Sequence, residues 1–271
     1  MEVRPATEDD IDGIAVARLS NGAAHDDSGA DPGYCRHLIA DGHLWVAHDG
    51  HRVVGFAGAI DVGGARLLAD LYVHRDAHGR GVGKALLEAV LAGAVERLTF
   101  ASNDPAALPL YARAGMPAWW PLLSMHGQVD RLPSTTATVR DLAVGDAAEW
   151  EQTLSGHDRE ATYRYWAGRS QSHTFAVERD GDTLAVAAVR ASASSARVEH
   201  LAAGPGVALD ALAAIGAAIG CPRLHVYVPG CRPLAAELME RGFVIEDTQI
   251  YMSSSLAAVP DAVQVVHPGL G

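Results

Sequence analysis

The order of local signals along this chain occurs twice, and that repetition limits the possible fold more than any other feature of the sequence. Val139-Arg140-Asp141 echoes Val3-Arg4-Pro5, and a helical pattern follows each. Phe175-Ala176-Val177 followed by Asp180-Gly181 echoes Trp45-Val46-Ala47 followed by Asp49-Gly50. An Asp-Gly pair between apolar runs predicts a hairpin in both places. The stretch 203–208 (AGPGVA) stands where 78–83 (HGRGVG) stood, with a helix expected after each. Leu238-Met239-Glu240-Arg241-Gly242-Phe243 matches Tyr111-Ala112-Arg113-Ala114-Gly115-Met116. The offset drifts from 136 (139 − 3) to 127 (238 − 111), as loop deletions after a duplication would produce.

At 271 residues the chain exceeds a usual single domain. The expected organisation is therefore a doubled α+β fold, a mixed sheet flanked by helices in each copy. The first copy is expected over 1–130, a linker rich in Pro, Ser and Thr over 131–137, a second copy over 138–258 and a tail over 259–271. Within the first copy the spacing predicts strands at 2–5, 43–48, 52–60, 66–73, 97–103 and 122–128. Helices are expected after Thr7-Glu8-Asp9-Asp10, over 32–40, 84–95 and 105–114, and a Gly- and Asp-rich loop over 21–33.

Charge and cysteine content exclude several function classes. The formal net charge is −12. Residues 1–133 carry 11 basic and 17 acidic side chains and residues 134–271 carry 10 and 16, so each half stands at −6. Such a surface repels phosphate backbones, and no basic stripe with interleaved aromatics occurs, so nucleic acid is not an expected partner. The start MEVRPATEDD lacks a signal-peptide pattern, and the longest apolar run, 211–221, is too short to cross a bilayer. Three cysteines (Cys35, Cys221, Cys231) without a CxxC pair argue against a disulfide scaffold. A cytoplasmic protein without a membrane partner, monomer or homodimer, is expected. The thirteen histidines form no HExxH motif, and no Cys/His cluster at ligand spacing points to a metal. No Gly-x-Ser-x-Gly elbow is present for a serine hydrolase.

The residues that carry chemistry lie in His78-Gly79-Arg80-Gly81-Val82-Gly83, between an expected strand and helix. Glycines let the backbone turn tightly and aim successive N–H groups at one anion. The following helix adds unpaired N–H groups and its positive dipole end, and Arg80 and Lys84, the only lysine of the chain, add charge at the rim. This is a diphosphate cradle in physical terms. It is not the dinucleotide pattern, whose GxGxxG follows a first strand, nor the triphosphate loop, because Ala85 follows Lys84.

The stretch 70–90 (DLYVHRDAHGRGVGKALLEAV) resembles the central motif of the Gcn5-related N-acetyltransferase (GNAT) family, a strand, then [Gln/Arg]-x-x-Gly-x-[Gly/Ala], then a helix. Residues 103–116 (NDPAALPLYARAGM) are similar to that family's second motif, Asn…Ala…LeuTyr…Gly-Phe. The resemblance spans nearly all of 1–130 and, in element order but weakly in motif, 137–255. It departs at His78, which stands where Gln or Arg is usual.

The resemblance implies two tandem GNAT-like domains and acetyl-CoA or another acyl-CoA as the bound coenzyme. Backbone groups of Leu71, Tyr72 and Val73 would pair with its pantetheine arm as with an added strand. Backbone N–H groups from His78 through Lys84 would hold the diphosphate, Asn103 would contact the pantetheine side, and Tyr111 would face the thioester sulfur as general acid. Tyr111 is otherwise a core aromatic. Asp70 is either the general base, a holder of the substrate cation or a backbone cap. His25, Asp26 and Asp27 fall in a loop that walls the acceptor in that family, or are simply solvated. Trp119 and Trp120 precede the last strand of the first copy, where they line an acceptor pocket or pack between domains.

The implied activity is transfer of an acyl group to a primary amine of a small molecule, by direct attack in a ternary complex. A non-catalytic acyl-CoA-binding module and an enzyme acting on a peptide or protein amine are the alternatives. In the second copy Pro205 replaces Arg80, Leu209 and Asp210 replace Lys84 and its neighbour, and Leu238 replaces Tyr111. Each change weakens anion binding or acid catalysis, so this copy is expected to be structural and to complete the acceptor pocket of the first.

Overall fold

The computed structural model describes residues 1–20, 31–255 and 259–271. The first half runs β1 (Glu2–Pro5), α1 (Ile11–Leu19), α2 (Pro32–Asp41), β2 (His43–His48), β3 (Val53–Val62), β4 (Ala65–Val73), α3 (Val82–Val90), β5 (Glu96–Ala101), α4 (Ala107–Arg113) and β6 (Ala118–Gln128). The second repeats that order as β7 (Thr138–Asp141), α5 (Val144–Ser155), α6 (Glu160–Ala167), β8 (Ser172–Arg179), β9 (Asp182–Ala191), β10 (Ala196–Ala203), α7 (Ala208–Ile219), β11 (Arg223–Pro229), α8 (Pro233–Glu240) and β12 (Val244–Ser253). A short additional strand, β13 (Val263–Val265), follows. The chain is a mixed α/β structure with a doubled element order.

Two of the shifts from the expected boundaries bear on the site. The helix expected over 84–95 occupies Val82–Val90, because Gly81 takes a left-handed φ of 79° as its N-cap and Gly93 another of 77° beyond its end. Its apolar positions Val82, Leu86, Leu87 and Val90 fall on one buried stripe. The strand expected from residue 122 begins at Ala118, so Trp119 and Trp120 lie inside β6 rather than before it.

All strands join one sheet, in the order β1-β2-β3-β4-β5-β12-β6-β11-β10-β9-β8-β7, with β13 against β10. The two halves exchange their last strands. β12 pairs antiparallel with β5 from Ile250↔Ala101 to Ser253↔Leu98, where β6 would lie in a self-contained first half. β6 instead pairs with β11, from Arg223↔Gln128 to Pro229↔Leu122. The two exchanged strands then pair with each other, from Val244↔His126 to Met252↔Ala118. Trp120 stacks on Tyr251 of β12 with ring centroids 4.1 Å apart, and Trp119 Nε1 donates to the Ser253 carbonyl at 2.9 Å. Both tryptophans thus fasten the seam.

The core is shared as well. One buried cluster combines Ile14, Leu38, Phe56 and Leu67 of the first half with Tyr163, Trp166, Val186 and Val266 of the second. Inside the second half Glu151 is fully buried. It accepts hydrogen bonds from the Tyr163 hydroxyl at 3.1 Å and the Ser155 hydroxyl at 2.6 Å, with His200 Nε2 at 3.0 Å and Arg159 Nε at 3.8 Å. Burial pushes the carboxyl up, but His200, Arg159 and Ser155 outweigh it and hold it at about 2. Burial lowers His200 in turn, against the opposing pull of Glu151.

Because the exchanged strands and the shared cluster tie the halves together, thermal unfolding is expected as one transition with coincident tryptophan fluorescence and circular dichroism; two resolved steps would show that the halves melt independently. Removing the charge in Glu151→Gln is expected to cost about 3 kcal/mol in denaturant unfolding, as for other buried pairs that lose one partner. The folded carboxyl lies at about 2 against an ordinary 4.5, so its stabilisation is complete above pH 4.5 and disappears as pH falls toward 2. Urea titrations across that window should find the acid limb flatter in the variant.

Candidate functional site

A one-residue irregularity in β4 creates the cleft. Gly58 pairs with Asp70 and Ala59 with Leu68, so Ala69 is the extra residue of a bulge. Bulges bend the strand that carries them. The parallel ladder between β4 and β5 ends at Leu68↔Thr99, although β4 continues to Val73 and β5 to Ala101. Between the diverging strands opens a cleft of about 610 Å³. Its walls are residues 68–73 on one side and 99–102 on the other, with Tyr111 and Leu110 from α4.

At one end the glycine loop closes the cleft. His78, Gly79, Gly81, Val82 and Gly83 line it. Gly79 and Gly81 have φ of 74° and 79°, and a Cβ at either would meet nothing within 4 Å, so glycine is needed there for conformation alone. The first intrahelical bond of α3 runs from Ala85 N–H to the Gly81 carbonyl, which leaves the amides of Val82, Gly83 and Lys84 ahead of it. His78 has a specific role: its Nε2 lies 2.8 Å from the Val73 carbonyl, clasping the loop to the end of β4. Arg80 is exposed, and Lys84 is exposed with its Nζ 3.7 Å from Glu88. Neither side chain is part of the cleft wall.

At the opposite end stands Asp70. The Tyr34 hydroxyl, carried by α2, donates to Asp70 Oδ2 at 2.7 Å. Burial, and then Asp70, push the Tyr34 hydroxyl well above its usual range, so it remains a donor. Tyr111 is buried, and burial followed by Asp70 also raises its hydroxyl, keeping it protonated. Tyr72 stacks on Phe56 at 5.4 Å, and the Arg18 guanidinium lies 5.5 Å from the Tyr72 ring centre. Beside this end, burial and then Asp70 push the Cys35 thiol up to about 11, so it is not a thiolate at neutral pH.

Of the residues singled out in the sequence, the fold brings together Asp70, Leu71, Tyr72, Val73, Tyr111 and the glycine loop. Asn103 turns away: its Nδ2 donates to the Thr248 carbonyl of β12 at 3.1 Å, while its neighbours Ser102 and Asp104 line the cleft. Trp119 and Trp120 stand in the seam described above, outside the cleft wall. His25, Asp26 and Asp27 lie outside the described residues. Sequence reading missed Arg18, Tyr34, Gln249 and the stretch 267–269, all of which line the cleft. No local motif marks them, since each arrives from a distant element. It also passed over His74 and His78, whose i, i+4 spacing suits a metal pair. His74 Nδ1 accepts from Asp76 N–H at 3.3 Å while His78 binds Val73, and among the described residues no group of three or more His, Cys, Asp or Glu side chains is arranged to hold a metal ion. No helix among them is long and apolar enough to cross a membrane.

The acetyltransferase (GNAT) domain family matches residues 40–115, from the end of α2 past the end of α4. No curated protein matches the chain. Among solved structures it is similar over 99% of its length to a Pyrococcus horikoshii protein assigned as an acetyltransferase, with a TM-score of 0.77, 13% identity and 95% of that protein covered. A tandem GNAT protein from the clavulanic acid biosynthesis pathway gives a TM-score of 0.64 at 15% identity, covering 93% of this chain and 97% of that one. A GCN5-related N-acetyltransferase from Kribbella flavida gives 0.62 at 20% identity, covering 93% of this chain and 70% of that one. At these identities the likeness is one of fold.

Proposed function

We propose, for a chain that carries a GNAT acetyltransferase domain within a doubled GNAT fold, that its first half transfers an acyl group from acyl-coenzyme A to the primary amine of a small molecule. Acetyl-CoA is the donor we favour, and direct attack in a ternary complex is the route. The observation that carries this reading is the cleft between β4 and β5, with a glycine cradle at one end and Asp70 and Tyr111 along its wall. An extended thiol arm ending in a diphosphate fits such a cleft. The diverging edge of β4 matches the arm, and the left-handed glycines with the amides opening α3 match the anion.

When bound, acyl-CoA supplies the thioester carbonyl and the leaving sulfur. The chain does the rest. Backbone groups of Leu71, Tyr72 and Val73 align the arm, and amides from Gly79 through Lys84 hold the diphosphate. Asp70, oriented by the Tyr34 hydroxyl, receives the amine's positive charge or its proton. Tyr111, kept protonated by burial and by Asp70, is the proton donor for the departing sulfur. Cys35, held as a thiol and outside the cleft wall, favours direct attack over a covalent acyl-enzyme. Residues 1–130 form the catalytic unit in this reading, 131–137 the linker and 138–258 a degenerate copy, all in the cytoplasm. Walls contributed by Tyr34, Pro268 and Gly269 at the acceptor end favour a small amine over a protein chain.

Coenzyme release measured over polyamines, aminosugars, arylalkylamines and amino acids tests the activity. Tyr111→Phe and Asp70→Asn are expected to lower kcat by about 10²-fold or more while coenzyme affinity stays within about threefold; unchanged rates in both would remove their assigned roles, and binding without turnover on any amine would leave a coenzyme-binding module. A Cβ at Gly83 would lie 3.5 Å from Val73 Cγ2, an ordinary contact, so Gly83→Ala keeps the fold while narrowing the cradle. Calorimetry should find acetyl-CoA binding weakened about tenfold, ~1.4 kcal/mol, with an unchanged melting midpoint.

A further inference from the structure

The groove beside the end of β4 has a counterpart in the second half, and there a further strand of the chain runs along it. β10 carries the same bulge as β4: Val198 pairs with Val189 and His200 with Ala188, leaving Glu199 extra, as Ala69 is in β4. The β10–β11 ladder likewise stops early, at Val198↔Val226. Counted from the bulges, Leu71-Tyr72-Val73 and Leu201-Ala202-Ala203 occupy equivalent positions (71 − 69 = 201 − 199). In the second half these positions pair with a strand from the end of the chain. Leu201 and Ala202 pair antiparallel with Val265 and Val263 of β13, and Ala203 N–H donates to the Ala262 carbonyl at 2.9 Å. On the other side Val266 N–H donates to the Tyr227 carbonyl of β11 at 3.0 Å. β13 is thus wedged between the two diverging strands, with Val263, Val265 and Val266 buried.

The same segment then crosses to the first half. His267, Pro268 and Gly269 line the acceptor end of the cleft. His267 Nδ1 accepts from Gly269 N–H at 3.0 Å, and its Nε2 lies 3.8 Å from Glu199 Oε2 in the bulge of β10. Gly269 lies against the pair that orients the acceptor: a Cβ there would stand 3.2 Å from the Tyr34 hydroxyl, the group that donates to Asp70.

We propose that residues 262–269 are an intramolecular ligand of the second half, with β13 taking along β10 the place that a pantetheine arm takes along β4, and that the same segment, through Gly269, positions Tyr34 and Asp70 for the acceptor amine. The inference rests on the transferase reading above and names how the second half serves it. A tethered strand outcompetes a free ligand for one edge because its effective concentration is high. The anion cradle is cut back to match: eight residues separate β4 from α3 (82 − 73 − 1), but only four separate β10 from α7 (208 − 203 − 1). The second groove is closed to coenzyme, and Gly269 is a positioning residue that acts through the Tyr34 hydroxyl.

Two measurements on the full chain test this. Calorimetric titration with acetyl-CoA should find one site per chain. Gly269→Ala should raise KM for the fastest amine of the panel about fivefold while KM for acetyl-CoA stays within about twofold, and the increase should vanish in a Tyr34→Phe background, because the clash partner is then gone. A second coenzyme per chain, an unmoved amine KM, or an equal effect in both backgrounds overturns the inference and leaves the transferase reading intact. No coenzyme binding at all overturns that reading and the inference with it.

Discussion

The pairing of β6 with β12 governs the rest of the molecule. Each strand is the last of its own half, and each completes the sheet of the other. β5 would otherwise be an edge, with a row of backbone groups to satisfy; β12 covers it and brings Gln249 to the cleft. The exchange also sets where the chain goes next. From β12 it returns across the seam, enters the second half as β13 and reaches the first-half cleft at 267–269. The cleft is therefore a joint product of both halves, with the glycine loop, Asp70 and Tyr111 all on the first.

Equivalent positions of the repeat have taken opposite fates. The residue after each bulge is Asp70 in β4 and His200 in β10. Asp70 lines the cleft and accepts a hydrogen bond from the Tyr34 hydroxyl of α2. His200 is fully buried against Glu151, with Tyr163 and Arg159 around the same carboxylate. One site turns its polar group to the cleft wall, and the other pairs it within the core. Leu238, at the position equivalent to Tyr111, is likewise fully buried. A polar group at a bent strand either meets a ligand or must be paired internally, since leaving it unpaired in the interior costs about 1–3 kcal/mol.

What the sequence made legible was local. Asp-Gly hairpins, the Gly79 and Gly81 turn before α3, and the doubled order depend on residues close together in the chain, whose conformational preferences act before any tertiary contact. The strand exchange was not legible, because no short-range rule chooses which of two closing strands covers a neighbouring edge. The same limit hid Tyr34, which is 36 residues from Asp70, and the stretch 267–269, which lies farther still. Trp119 and Trp120 looked free to line a pocket only while β6 was expected to begin after them; within the strand they are committed to Tyr251 and Ser253.

The filled groove of the second half follows from the same accounting. Two strands that diverge inside a sheet expose facing rows of N–H and C=O groups, and a ligand bound as an extra strand satisfies them when present. In the proposed reading the first half meets that demand by binding the coenzyme arm. A copy whose cradle is four residues shorter and carries Pro205 in place of an amide donor has fewer N–H groups to offer an anion. Its groove stays buried against the shared core all the same, so its backbone needs a permanent partner. A segment of the chain itself is the partner that needs no second molecule, and once tethered there its continuation is fixed in space. Fixing the segment in one half thereby supplies a wall to the other, which gives the second copy a physical reason to persist.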